Sequence, residues 1–162
     1  MATDIFLKVE GVTGESTDSN HKEWTRVHSF SWGATQPGSM ANGGGGGVGK
    51  VSINDLQVTA LIDKATSALE KYCYTGQHVG KVELSLCKAA GEAGQIEYSK
   101  VTLEQVLITS VQMQADSSSE SVYVQYSFQA GKVQHQYWVQ TDKGGKGAES
   151  SVAYNVKENK LA

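Results

Sequence analysis

Alternation with a period of two runs through most of this chain. In the segment DIFLKVE, Ile5, Leu7 and Val9 point one way and Phe6, Lys8 and Glu10 the other, the pattern of a strand with one buried face. The same pattern recurs in KVELSLC, SVYVQYSF, VQHQYWVQ and SVAYNV. EWTRVHSFSWG and VTLEQVLITSVQMQ add further strands, and the second is long enough to predict a bend or bulge near Glu104 and Gln105. Eight or nine strands with turn signals between them must bury their apolar faces against one another. That requirement predicts a mainly β fold, a barrel or a two-sheet sandwich.

One segment departs from the alternation. In ATSALEKYCYTG, Ala65, Ala68, Leu69, Tyr72 and Cys73 follow a helical spacing, Thr66 or Ser67 is placed to cap the first turn, and Gly76 suits the left-handed position after the last. Ser67-x-x-Glu70 also satisfies the capping-box pattern. The prediction is one short flanking helix, covering one side or one opening of the barrel or sandwich. With 162 residues the chain is read as a single domain, 1–162. Loops are expected at Thr13–His21, Thr35–Gly49, Ala89–Gln95, Ala115–Glu120 and Thr141–Ser150. Of these, Thr35–Gly49 is unusual, since connections beyond about 12–15 residues are uncommon and often functional.

That loop holds GGGGVGKV, Gly44 to Val51, one residue away from a nucleotide-binding P-loop. Three features argue against nucleotide. Val51 follows Lys50 where a hydroxyl is needed to ligate magnesium, and Ser52 comes one residue late. The residues that follow, VSINDLQVTA, have strand rather than helix spacing, so no helix N-terminus points at a phosphate. Five successive glycines also lack the fixed backbone of a phosphate cradle.

Other chemistry finds little support in the residues. His21, His28, His78 and His135 have no metal-ligand spacing, and Cys73 and Cys87 fit neither a disulfide framework nor a CxxC knuckle. Both thiols are expected to be reduced and buried. No G-x-S-x-G elbow is present. Neither catalytic residues nor a cofactor or metal is therefore expected. A net charge of −3 without a basic cluster gives no attraction to nucleic acid. MATDIFLKVEG lacks the pattern of a signal peptide and no run is long enough to span a membrane, so synthesis in the cytoplasm and no membrane insertion are expected.

The polar faces of several strands carry Gln112, Gln114, Gln125, Gln129, Gln134, Gln136 and Gln140 with Ser and Thr among them, where a solvated face usually carries Lys and Glu. Such a face meets solvent, a neighbouring subunit or a water-filled channel. Taken in order, MATDIFLKVEGVTGES, HSFSWG, GGGGGVGKV, DKATSALEKYCYTG, VTLEQVLITSV, ESVYVQYSF and YNVKENK resemble the Hcp family, the haemolysin-coregulated proteins of bacterial type VI secretion systems. Phe30 stands where an aromatic, often Trp, precedes Ser31, and Ala68 follows Ser67 where many members have proline.

The resemblance implies a tube subunit: a small β-barrel of two sheets flanked by one helix, assembled into a homo-hexameric ring that stacks into a hollow tube, moves with a tip spike inside a contractile sheath, and carries small effector proteins in its lumen. It also implies that the protein leaves the cell through that system without a signal peptide. Within the EWTRVHSFSWG strand, Trp24, Arg26, His28, Phe30 and Trp32 are expected on the core face. Ser29 and Ser31 then face outward, toward the lumen or toward solvent or a neighbour. Met40, Val48 and Lys50, on the long glycine-rich arm, are the expected subunit contacts, because a closed ring needs one patch to meet a different patch of the next subunit. The rival reading is a monomeric β-barrel that binds a small ligand in its interior.

Overall fold

A computed structural model describes residues 3–40, 47–89 and 94–162. The main strands are β1 (Thr3–Val9), β2 (Thr25–Ser31), β7 (Leu56–Leu61), β8 (Val79–Ala89), β9 (Gln95–Gln114), β10 (Tyr123–Gln140) and β11 (Lys146–Asn155). Short strands β3 (Ala34–Thr35), β4 (Gly38–Ser39), β5 (Gly47–Val48), β6 (Ser52–Ile53) and β12 (Lys160–Leu161) complete the set, with one helix, α1 (Ala65–Thr75). The sheet runs β12-β11-β10-β7-β2-β1-β8-β9, and β9 pairs back onto β10. Six strands therefore close into a barrel, which leaves no open edge around its circumference. Two small ladders, β3 with β6 and β4 with β5, lie in the long connection between β2 and β7.

The inward side chains fill the barrel. Leu7, Val9, Leu56, Val58, Leu69, Val82, Leu84, Leu103, Val106, Ile108, Val124, Tyr126 and Phe128 are all buried in one apolar cluster. Each large aliphatic or aromatic side chain so placed contributes about 1.5–3 kcal/mol by leaving water.

The two long strands need irregularities to bend around that core. Gln105 takes φ +54° within β9, at the position where a bend was expected. Between Ser127 and Phe128 the β9–β10 register slips, which places Thr109 as an extra residue. Its hydroxyl donates to the Ser127 carbonyl at 3.2 Å and to Asp55 Oδ2 at 2.8 Å. Beyond the barrel, β10 continues past the end of β7, and its far half, Lys132–Gln140, carries β11. β11 begins at Lys146, so the predicted Thr141–Ser150 loop is shortened to a tight turn closed by Thr141 N to Gly145 O at 2.8 Å.

The face assignment expected for β2 holds after His28, where Phe30 and Trp32 pack on the core and Ser29 and Ser31 face outward, and fails before it. Thr25 is buried, Val27 and Phe30 pack against the core, and Arg26 and His28 are exposed. The cause is a register shift between Val27 and Ser29 against β7, an extra residue at His28 that reverses the alternation. Phe6 corrects a simple reading of β1 in a related way. It lies on the outer face of the barrel yet has no exposure, because the ring of His21 stacks on it at 4.3 Å.

The helix begins one capping site earlier than predicted. Asp63 Oδ1 accepts the Ala65 N–H at 3.0 Å, and the Thr66 hydroxyl accepts the Asp63 N–H at 3.2 Å. The pair caps the Ala65 and Asp63 N–H groups in place of a capping box at Ser67 and Glu70, and Glu70 instead accepts from the Tyr74 hydroxyl at 2.6 Å. Gly76 ends the helix at φ +68°, the left-handed conformation predicted for it. Leu69 is fully buried, and Tyr72 and Cys73 pack beside it on the core, so α1 is held by its apolar stripe.

Candidate functional site

The register of four strands places the small polar residues of the outer barrel face in rows. Ser29 pairs with Thr59, Thr59 with Gln125, and Gln125 with Gln112. One step along, Ser31 pairs with Gln57, Gln57 with Ser127, and Ser127 with Ser110. Eight side chains from β2, β7, β10 and β9 thus make a face with hydroxyl and amide groups and no charge. Ser29, Ser31, Gln57, Gln112 and Gln125 are exposed. The alternate residues of the same strands, Phe30, Val58, Tyr126 and Val111, point into the core, which fixes the outward direction of the rows.

The other predicted residues lie elsewhere. Met40 follows β4 and is 89 % exposed, and Lys50 follows β5 and is also exposed. Val48 belongs to β5, where it pairs with Gly38, and Gly49 N donates to Pro37 O at 3.2 Å. Residues 41–46, which hold most of the glycine run, lie outside the described residues. At the root of this arm a groove of about 500 Å³ is lined by Trp32, Gly49, Val51, Val133, Val152 and Leu161, among others. Val152 is 54 % and Leu161 71 % exposed. The groove is therefore an apolar surface beside an arm that carries the exposed Met40, and it is separate from the polar rows.

A third arrangement was not anticipated. Asp18 Oδ2 lies 2.9 Å from His21 Nδ1, and His21 Nε2 lies 3.0 Å from Ser85 Oγ. The Ser85 hydroxyl also donates to Glu97 Oε2. An Asp–His–Ser series at these distances has the connectivity of a hydrolase triad. Its environment does not suit nucleophilic attack: Ser85 has no exposure and sits inside β8, where no substrate carbonyl can reach it.

Cys87, 3.9 Å from His21 Nε2, is equally buried, and burial pushes its thiol pKa up, away from the reactive thiolate. Burial opposes ionisation of Asp18, but hydrogen bonds from His21 and the Asn20 N–H outweigh it and hold the carboxyl below its ordinary range. Among the described residues, no group of three His, Cys, Asp or Glu side chains is placed to hold a metal ion. The only sequence sign of this series was the three-residue spacing of Asp18 and His21. Its partners stand 64 residues or more away from His21.

Residues 6–137 match the family model for the type VI secretion system effector Hcp. The protein hcp1 of Pseudomonas aeruginosa is 39 % identical over 160 residues, covering 98 % of both chains. A solved structure of a type six secretion system protein superposes with a TM-score of 0.91 at 29 % identity, over 99 % of this chain and 100 % of its own. The crystal structure of Hcp1 from Salmonella typhimurium covers both chains fully at 32 % identity and a TM-score of 0.82.

Proposed function

The chain belongs to the Hcp family of type VI secretion effector and tube proteins, and from that premise we propose that it closes hexameric rings that stack into the hollow inner tube. The observation that carries the reading of its site is the pair of uncharged polar rows through Ser29 and Ser31. A conduit that must hold a small effector protein and later release it requires a wetted wall without fixed charge, because charge pairs retain cargo or repel it according to its own charge. The rows therefore line the lumen, with Ser31 and Ser29 in contact with cargo.

The ring contact uses the other surface. Met40, Val48 and Lys50 on the arm reach an adjoining subunit, and the apolar groove between the arm and β11 supplies a second, different patch. Two unlike patches on one subunit make the heterologous contact that a closed ring needs. The whole of 1–162 acts as one domain in this assembly.

The role is structural rather than enzymatic. Its partners are copies of itself, the tip spike, the contractile sheath and small effectors. The protein is made in the cytoplasm and exported when the system fires. Interior ligand binding is disfavoured, because Leu7, Leu84, Leu103, Tyr126 and Phe128 occupy the barrel interior. Replacing Ser31 by Trp tests the lumen assignment: rings assemble as before and effectors cease to co-purify, whereas unchanged co-purification from intact rings removes the assignment.

A further inference from the structure

The Asp18–His21–Ser85–Glu97 series has a proton count that its side chains do not meet in their usual states. Three hydrogen bonds lie in one line: Asp18 to His21 Nδ1, His21 Nε2 to Ser85 Oγ, and Ser85 Oγ to Glu97 Oε2. Each needs one proton. Ionised Asp18 and Glu97 bring none, a neutral imidazole brings one, and the Ser85 hydroxyl brings one. The line is complete only when it holds one further proton, on His21 or on Glu97, since the hydrogen bonds to Asp18 keep that carboxyl ionised. Water offers no ready substitute at its centre, since Ser85 is fully buried and His21 is 6 % exposed.

The groups packed around the line come from six elements. The segment before β2 supplies Asp18, and Trp24 whose ring meets His21 edge-on at 4.8 Å. β1 supplies Phe6 under the imidazole, Asp4 bonded to Gln95 Nε2, and Lys8, whose Nζ is 5.9 Å from the Trp24 ring. Arg26 of β2 lies 5.2 Å from the Phe6 ring and 3.8 Å from Asp4. β8 supplies the Cys87 thiol, and β9 supplies Glu97 and Lys100, the latter 3.8 Å from Glu83 of β8. Lys146 of β11 stands 3.4 Å from Glu97 Oε1.

We propose that this line is a proton-operated latch on the segment joining β1 to β2. With the extra proton, all three bonds close and pin the segment to β8 and β9. Without it, one bond at Ser85 opens. The segment then loses the anchor that seats His21 on Phe6. Its effect extends to the helix entry, because Glu15 of the same segment accepts the Lys64 N–H at 3.0 Å. The closed state binds more protons than the open one, so falling pH closes the latch and rising pH opens it. At strongly acid pH, protonation of Asp18 removes the first bond and ends that trend.

Hydrogen exchange on the intact protein between about pH 5.5 and pH 8.5, corrected for intrinsic rates, tests this together with the His21 ring nitrogen and Glu97 carboxyl shifts. Protection of the 13–24 segment falls about three- to tenfold as pH rises, the worth of one net hydrogen bond, in step with loss of a proton from one of the two groups. In Glu97→Gln the amide donates to Ser85, which is then free to donate to neutral His21. That variant stays protected with no pH dependence. A flat wild-type profile, or a Glu97→Gln profile with the wild-type slope, overturns the proposal. Should Glu97→Gln fold poorly, the wild-type shifts decide alone: neither group losing a proton as protection falls overturns it equally.

Discussion

The hydroxyls of Thr66 on α1 and Tyr126 on β10 lie 2.7 Å apart in the buried interior, joining the helix entry to the barrel wall. Thr66 also accepts the Asp63 N–H, and Asp63 accepts the Thr25 hydroxyl at 3.0 Å. One line of polar contacts thus runs from β2 through the helix start to β10. Tyr126→Phe removes one bond but leaves Thr66 its second, so a cost of about 1–2 kcal/mol is expected. Thr66→Val costs more, because it strands both the Tyr126 hydroxyl and the Asp63 N–H. Urea unfolding of the two variants checks the order. Burial pushes the Tyr126 pKa from the ordinary 10.0 up to about 12, so an ultraviolet titration finds this phenol still un-ionised above pH 10.0.

Asp63 gives a pH dependence of definite sign. Burial raises its carboxyl pKa above 3.8, against the lowering effect of its hydrogen bonds from Thr25 and Ala65. A raised folded-state value means that its contribution to stability is fully present below 3.8 and is lost as pH rises through the folded value. Asp63→Asn removes that loss. The difference in urea midpoint between the variant and the wild type should shift in the variant's favour as pH rises from 3.8 upward; a difference that shifts the other way contradicts the burial argument.

Gly14 is held where no side chain fits. A Cβ added there would lie 2.5 Å from the Trp24 carbonyl oxygen, and that backbone is fixed by Ser16 N to Trp24 O at 2.8 Å and Gly14 N to Glu23 O at 2.7 Å. Gly14→Ala therefore forces the segment off β2 and costs about 1–3 kcal/mol. Gly131→Ala meets the ends of the Gln105 and Lys157 side chains at 2.8 and 3.0 Å, which can swing aside, and Gln105 Cβ at 3.3 Å, a milder conflict than a carbonyl oxygen at 2.5 Å. Thermal melts of the two variants should separate clearly, at about 2–4 °C per kcal/mol for a chain of this size.

The arm and the polar rows make separable predictions. Deleting residues 43–47 shortens the arm that presents Met40, Val48 and Lys50, and should weaken ring and tube assembly while the barrel still folds. Sedimentation beside circular dichroism distinguishes the two. Placing lysines at Ser31 and Gln57, neighbours in one row, should leave rings intact and make effector retention depend on salt. Retention that ignores salt would place cargo elsewhere.

Much of this was legible from the chain alone, and the exceptions have physical causes. Period-two alternation located the barrel strands, and the helical spacing with Gly76 located α1. The bend at Gln105 showed because β9 is longer than a flat strand can be around a small core. The extra residue at His28 left no trace, since an inserted residue reverses faces without changing composition. Phe6 read as outward, and it is; its burial depends on His21 from another segment. Thr66 was one of two capping candidates, and its partner Asp63 was hidden by an equally good pattern at Ser67 and Glu70. Ser85 sat unnoticed in a strand, because its partners arrive from Asp18–His21 and Glu97, across separations that local spacing does not register.

The central claim is that this chain is a ring-building tube subunit, and its native mass tests that most directly. Native mass spectrometry with negative-stain imaging should find a species of about six times the 17.3 kDa chain, seen as hollow rings. A monomer persisting across a wide concentration range, with no rings on the grid, would contradict the account.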